Sequence, residues 1–210
     1  MERALIIGLL SVACATVSSF GQGTISVDTY NVINFSFVSY GSSGIPANGV
    51  SGTPGNVNGG LQQGWTMGLY YVVGNVTVGS DPSGNTGDPS TFGGLTLATG
   101  SGTTAPFGTS LTGFLPGYAL SPVALSVPGT SSAGGDIITV EIVAYSGSSY
   151  SAALYRGHSA TFTMPTAAFD SNPTKVGNYM PSFSVFPVPE PSVFALAGLS
   201  AVAVVFFRRR

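Results

Sequence analysis

Residues 137–145 read Ile-Ile-Thr-Val-Glu-Ile-Val-Ala-Tyr, an alternation with a period of two. Ile138, Val140, Ile142 and Ala144 fall on one side, and Ile137, Thr139, Glu141, Val143 and Tyr145 on the other. Successive side chains of a strand point to opposite faces, so this run predicts a strand and excludes an amphipathic helix. Shorter pieces of the same kind recur at 24–29, 32–38, 65–73, 75–79, 95–97, 123–127, 160–164 and 182–186. Between the third and fourth, Gly74-Asn75 reads as a hairpin turn or a bulge. Many short strands cut apart by turn residues predict an all-β fold, here an antiparallel β-sandwich of the jelly-roll kind. One short helix is expected in the body, over 150–156, with Ser148 or Ser149 as cap and Gly157 just past its end.

Three stretches, 41–60, 80–94 and 100–106, are rich in Gly, Ser, Asn, Thr and Pro and carry no fixed period. Collagen-like and solenoid architectures are therefore excluded. The whole chain of 210 residues holds 30 Gly, 28 Ser and 20 Thr. Only 7% of it is charged, yet 43% is hydrophobic, enough for a packed core. No basic stripe is present to neutralise phosphates, so nucleic acid is not an expected partner.

The two ends differ from the body. Residues 1–21 have the form of a secretory signal peptide: Arg3, an apolar run from Ala4 to Ala13, then small residues. Cleavage fits after Ala15 or after Gly21; the second opens the remaining chain just before a strand pattern. Cys14, the single cysteine, lies inside this segment. It is either a discarded small residue or a lipid acceptor, and Ser11 is a poor match to a lipoprotein box. If it is discarded, no disulfide is available outside the cell. At the other end, Ser192 to Phe207 is an uncharged run of the length of a short transmembrane helix, and Arg208, Arg209 and Arg210 follow it. The arginines are expected to stay on the cytoplasmic side of the inner membrane. Pro189 and Pro191 disfavour helix before Ser192.

Pro189-Glu190-Pro191, the apolar helix and the terminal arginines, in that order, resemble the PEP-CTERM sorting signal of Gram-negative bacteria. The resemblance implies that exosortase, a membrane cysteine transpeptidase, reads and processes this end. It makes the chain a substrate and assigns it none of that enzyme's chemistry. Thr139 to Tyr145, Tyr150 to Tyr155 and Ser159 to Met164 also resemble the closing segment of PEP-CTERM proteins from Verrucomicrobia-like bacteria, with Tyr145 where a Trp is usual. That resemblance implies a β fold and an exported location, and no activity. The expected organisation is a signal peptide at 1–21, a β-sandwich at 22–186 and a sorting signal at 187–210.

Ionisable groups are scarce in the body: Asp28, Asp81, Asp88, Asp136, Glu141, Asp170, Arg156, Lys175 and the single histidine, His158. A Ser-His-Asp hydrolase would have to use His158, but no Gly-x-Ser-x-Gly elbow occurs. Following Gly157, His158 is expected to be exposed or to cap the helix. Glu141 is expected to face solvent or to pair with Arg156, which leaves little support for a two-carboxylate glycosidase. The run Asp81 to Asp88 resembles a calcium loop only superficially, with Ser83, Thr86 and Phe92 where ligands or glycine are needed, and reads better as an Asp-initiated turn. Trp65, Tyr70, Tyr71 and Tyr118, with Gln62 and Gln63, could form a sugar-stacking strip, with Trp65 and Tyr118 the foremost glycan contacts; the competing reading is core packing. Tyr70 and Tyr71 must point to opposite faces. Asn34-Phe-Ser36 and Asn75-Val-Thr77 match the glycosylation triplet.

The expectation is an exported, non-enzymatic protein of the cell surface or extracellular matrix, with no cofactor and no metal. It passes through the inner membrane as an anchored precursor, and its partners are exosortase and exopolysaccharide. The alternative is a carbohydrate-binding module, which requires exposed rings near Trp65 or Tyr118. An enzyme would require two carboxylates, or His158 and an acid, to converge in a cleft.

Overall fold

The computed structural model describes residues 22–30, 36–41, 60–61, 64–108 and 117–188. The expected signal peptide, membrane helix, Pro-Glu-Pro triplet, terminal arginines, Gln62, Gln63 and Asn34 lie outside them. No helix among the described residues is long and apolar enough to cross a membrane.

The described chain is mostly β. In order it forms β1 (Thr24–Ser26), β2 (Val38–Tyr40), β3 (Trp65–Val73), helix α1 (Pro89–Phe92), β4 (Thr96–Leu97), β5 (Ala105–Pro106), β6 (Leu125–Ser126), β7 (Ile137–Ser146), β8 (Tyr155–His158), β9 (Phe162–Pro165), β10 (Thr174–Lys175), a 3-10 turn at Val176–Asn178, and β11 (Phe183–Pro187). A small sheet has the order β10-β1-β6, and a larger one the order β2-β11-β8-β7-β3-β4, with β5 beside β3 and β9 beside β7. The larger sheet curls into a half-barrel.

The sheets are mixed, which corrects the antiparallel jelly-roll expectation. β1 runs parallel to β10, and β2 parallel to β11. Period-two patterning reports which face of a strand is buried; it does not report the direction of the neighbour. The central pair is β3 with β7, antiparallel from Trp65↔Ser146 to Val73↔Ile138.

Both faces of β7 are covered, and only Ile137 and Ser146 at its ends are not buried. Ile138, Val140, Ile142 and Ala144 enter the main core, with Ile25 and Val27 from the small-sheet side and Met67 and Leu69 from β3. The main core therefore lies between the two sheets. Val143 and Tyr145, on the opposite face, pack with Tyr70, Leu95, Tyr150 and Ala153 in a second cluster. The segment from Val78 to Leu95 supplies much of this second cover, which is why Glu141 does not reach solvent.

The helix expected over 150–156 does not form. Tyr150 to Ala152 make a turn, and Tyr155 to His158 are strand β8. The guanidinium of Arg156 reaches back across the turn: its Nη1 donates to the carbonyls of Tyr150 at 2.9 Å and Ser151 at 2.7 Å. These bonds satisfy backbone acceptors that a helix would have used internally. Gly157 is not a helix stop. A Cβ there would lie 2.4 Å from the carbonyl oxygen of Ser184, so glycine is what lets β11 approach β8. The described helix instead sits in the expected 80–94 loop, where Asp88 caps α1 by accepting from the N–H of Ser90 and Pro89 opens it. Residues 75–79 are not a strand, and Gly74 turns the chain away with φ of 99°.

Candidate functional site

His158 and Glu141 come together through a register shift. β8 pairs with β7 as Val143↔His158, whereas β9 pairs as Val140↔Phe162. Three residues, 159–161, thus oppose two, 141–142, and the β8–β9 edge carries a bulge. Ser159 closes the gap. Its N–H donates to the carbonyl of Ile142 at 2.8 Å, and its Oγ accepts from the N–H of Ile142 at 3.1 Å. Directly opposed residues share a face, so His158 stands with Val143, and Glu141, two residues from Val143, is its diagonal neighbour.

Asp81 arrives from the covering loop. Its Oδ1 accepts from the N–H of Ser83 at 2.7 Å, and its Oδ2 accepts from Asn85 at 3.1 Å and Gly87 at 2.7 Å. The Nε2 of His158 lies 3.0 Å from the same Oδ2. Three of these four donors converge on Oδ2 and one reaches Oδ1. The Asp-initiated turn reading therefore fits the loop. A Cβ at Gly87 would lie 2.2 Å from Asp81 Oδ1, so this loop needs glycine there. Further bonds dock the loop on the sheet: the N–H of His158 donates to Asn85 O at 3.0 Å, Arg156 Nε to Thr86 O at 2.7 Å, and the Tyr150 hydroxyl to Gly87 O at 2.9 Å.

The other imidazole nitrogen faces two acceptors. Nδ1 lies 2.8 Å from Ser159 O and 2.5 Å from Glu141 Oε1. The closer of the two is Oε1, which the charge of the imidazole holds. Glu141 Oε2 accepts from the Thr161 hydroxyl at 3.2 Å. The side chains of His158, Asp81 and Glu141 are 7%, 4% and 1% exposed.

This corrects the expectation of an exposed or capping His158 and of a solvent-facing Glu141. Burial by itself lowers the pKa of His158, but Glu141, the Ser159 carbonyl and Asp81 outweigh it and push the value up to about 9. Burial likewise raises the pKa of Asp81; the imidazole and the N–H groups of Ser83 and Gly87 outweigh that and hold it below the ordinary carboxylate range. Both ring nitrogens face acceptors, which favours the doubly protonated imidazolium. In that form the ring can neither abstract a proton nor ligate a metal.

The trio borders a cleft of about 500 Å³ whose walls include Ser80, Asn85, Phe92, Ala160 and Thr161. The Phe92 ring lies over His158, with centroids 5.2 Å apart and planes at 33°. An acid and a histidine thus converge beside a cleft, the arrangement an enzyme would need, but in an ionisation state that opposes base catalysis. Asp136 is not one of the cleft residues; it accepts from the N–H of Ser131.

The rings expected to bind glycan are core. Trp65 is 3% and Tyr118 2% exposed. Trp65 packs edge-on against Tyr155, and Tyr118 edge-on against Tyr30 and Phe37. Tyr70 and Tyr71 do point to opposite faces, one into each buried cluster. No exposed strip can be built from these four rings. Glu141 between Val140 and Ile142 signals a buried charge as well as a solvent-facing one, and Arg156 and His158, two apart, fit the alternation of a strand.

Compared with known proteins, residues 187–210 match the family description PEP-CTERM protein-sorting motif. No curated protein and no solved structure matches the chain. The motif covers 24 of 210 residues and marks an exported protein sorted by exosortase.

Proposed function

We propose that the protein is a non-enzymatic component of the cell surface or extracellular matrix, delivered as a membrane-anchored precursor and processed by exosortase. The observation that carries this reading is the sorting motif at 187–210. Pro189, Glu190 and Pro191 are the recognition triplet in this reading, and Arg208 to Arg210 hold the cytoplasmic end. The likeness of 138–186 to Verrucomicrobia-like proteins supports a source of that type.

Two features of the domain support a structural role. The ionisable groups at the cleft form a buried clamp, suited to holding a loop on a sheet rather than to moving protons. Within each sheet the domain also pairs strands far apart in sequence, β1 with β10 and β2 with β11, which tie distant parts of the chain together.

The test is fractionation after deletion of 189–210. The intact chain is expected in the envelope or matrix fraction, with loss of its tail depending on exosortase. The deletion variant is expected as soluble periplasmic protein. Unchanged processing and location in the deletion variant would overturn the sorting reading.

A further inference from the structure

The cleft beside the buried trio has the chemistry of a ligand site. Its floor holds two carboxylates, Asp81 and Glu141, and one imidazolium, His158, a local balance of −1. Arg156 on the same strand is not among its lining residues and is tied to the carbonyls of Thr86, Tyr150 and Ser151. Glu141 is 1% exposed, and its Oε1 faces the Nδ1 of His158 at 2.5 Å. One imidazolium shared by two buried carboxylates leaves a negative charge uncompensated, which favours a ligand that brings a second cation. The walls offer a half-buried aromatic ring, Phe92, and polar groups at the rim, Ser80 and Asn85 exposed and Thr161 partly buried. An apolar ring face, rim hydroxyl and amide groups, and a net negative floor together define a hydroxylated ring that carries a protonated amine.

We propose that this cleft binds a cationic amino-sugar unit of an extracellular polysaccharide, with its ring against Phe92, its hydroxyls at Ser80, Asn85 and Thr161, and its ammonium held by the field of Glu141 and Asp81. The inference rests on the exported location proposed above only for where the ligand is met. The contact moves glycan recognition away from Trp65 and Tyr118, which are buried, to a cleft built by the bulge and the covering loop.

The experiment titrates the purified full-length chain in detergent with a fully deacetylated glucosamine tetramer at mildly acidic pH, where its amines are protonated. The N-acetylated tetramer is the control, and both are followed by calorimetry and by the ring resonances of Phe92 and His158. The deacetylated oligomer is expected to bind and to shift both rings, and the acetylated one to bind at least about tenfold more weakly. Phe92→Ala is expected to weaken binding about tenfold, and Glu141→Gln to remove the preference for the amine. Ser80→Ala, at an exposed wall position, tests the rim with the clamp intact and is expected to weaken binding about threefold. Absence of binding, equal affinity for the acetylated oligomer, or affinity unchanged in both Phe92→Ala and Ser80→Ala would each overturn the proposal. Because the assay uses purified protein, its failure is separable from a failure of the fractionation test.

Discussion

The Nε2 of His158 lies 3.0 Å from the Oδ2 of Asp81, a residue 77 positions earlier in the chain. One atom pair thus joins the central sheet to the loop that covers its second face. The loop carries Val78 over that face and leads through α1 to Leu95 in the second cluster. Loss of this contact is expected to release much more than one hydrogen bond.

His158→Gln leaves Asp81 and Glu141 buried as unpaired carboxylates. Removing one member of a buried ionic group costs about 3–5 kcal/mol. Urea denaturation should show a loss of that size, and a loss below about 1 kcal/mol would refute the clamp.

The clamp has a pH signature. The folded-state pKa of His158 is raised above its ordinary 6.5 to about 9, so its contribution is complete below pH 6.5 and is lost as pH rises to 9. That of Asp81 is lowered, so its contribution is present above the ordinary 3.8 and is lost as pH falls below it. Thermal melts should therefore be most stable between about pH 4 and 6.5, falling towards pH 9. In His158→Gln the alkaline decline should disappear.

Lys175→Ala provides the contrast. Lys175 Nζ lies 2.7 Å from Asp28 Oδ2, but the lysine side chain is 49% exposed. Solvent reaches the lysine end, and Asp28, itself only 6% exposed, keeps the N–H of Tyr30 on Oδ1. The expected cost is about 1–2 kcal/mol in the same denaturation assay, smaller than for His158→Gln.

Gly157→Ala tests the strand junction. The added methyl would meet backbone of β11, the Ser184 carbonyl at 2.4 Å and Val185 Cα at 2.9 Å, and neither atom can rotate away. Destabilisation of about 1–3 kcal/mol is expected, with faster amide exchange at β8 and β11. An unchanged midpoint would show that the two strands can part without cost.

Phe107→Ala tests the main core. The ring is fully buried, and its removal should cost about 3–5 kcal/mol. Calorimetry of the variant measures it directly.

Much of the β content was legible from residue order. β3 occupies the expected 65–73, and β7 extends the expected 137–145 by one residue. The opposed faces of Tyr70 and Tyr71 were legible too, because alternation is a property of a single strand. The 150–156 segment misled because Ala152, Ala153 and Leu154 have helical propensity, while tertiary contacts of Arg156 and Gly157 favour a turn and a strand. Glu141 misled because a charge in a strand usually marks the solvent face, whereas here the Val78–Leu95 segment covers that face and His158 supplies the counter-charge.

Local sequence by itself determined the β character, the alternation of each long strand and the sorting motif at 187–210, since each depends on residues adjacent in the chain. Tertiary structure alone decided the parallel pairings, the bulge at 159–161, the burial of Trp65 and Tyr118, and the meeting of Asp81, Glu141 and His158. These depend on which strand lies beside which and in what register. A shift of one residue in that register would turn Glu141 to the other face of β7 and leave His158 without a diagonal partner.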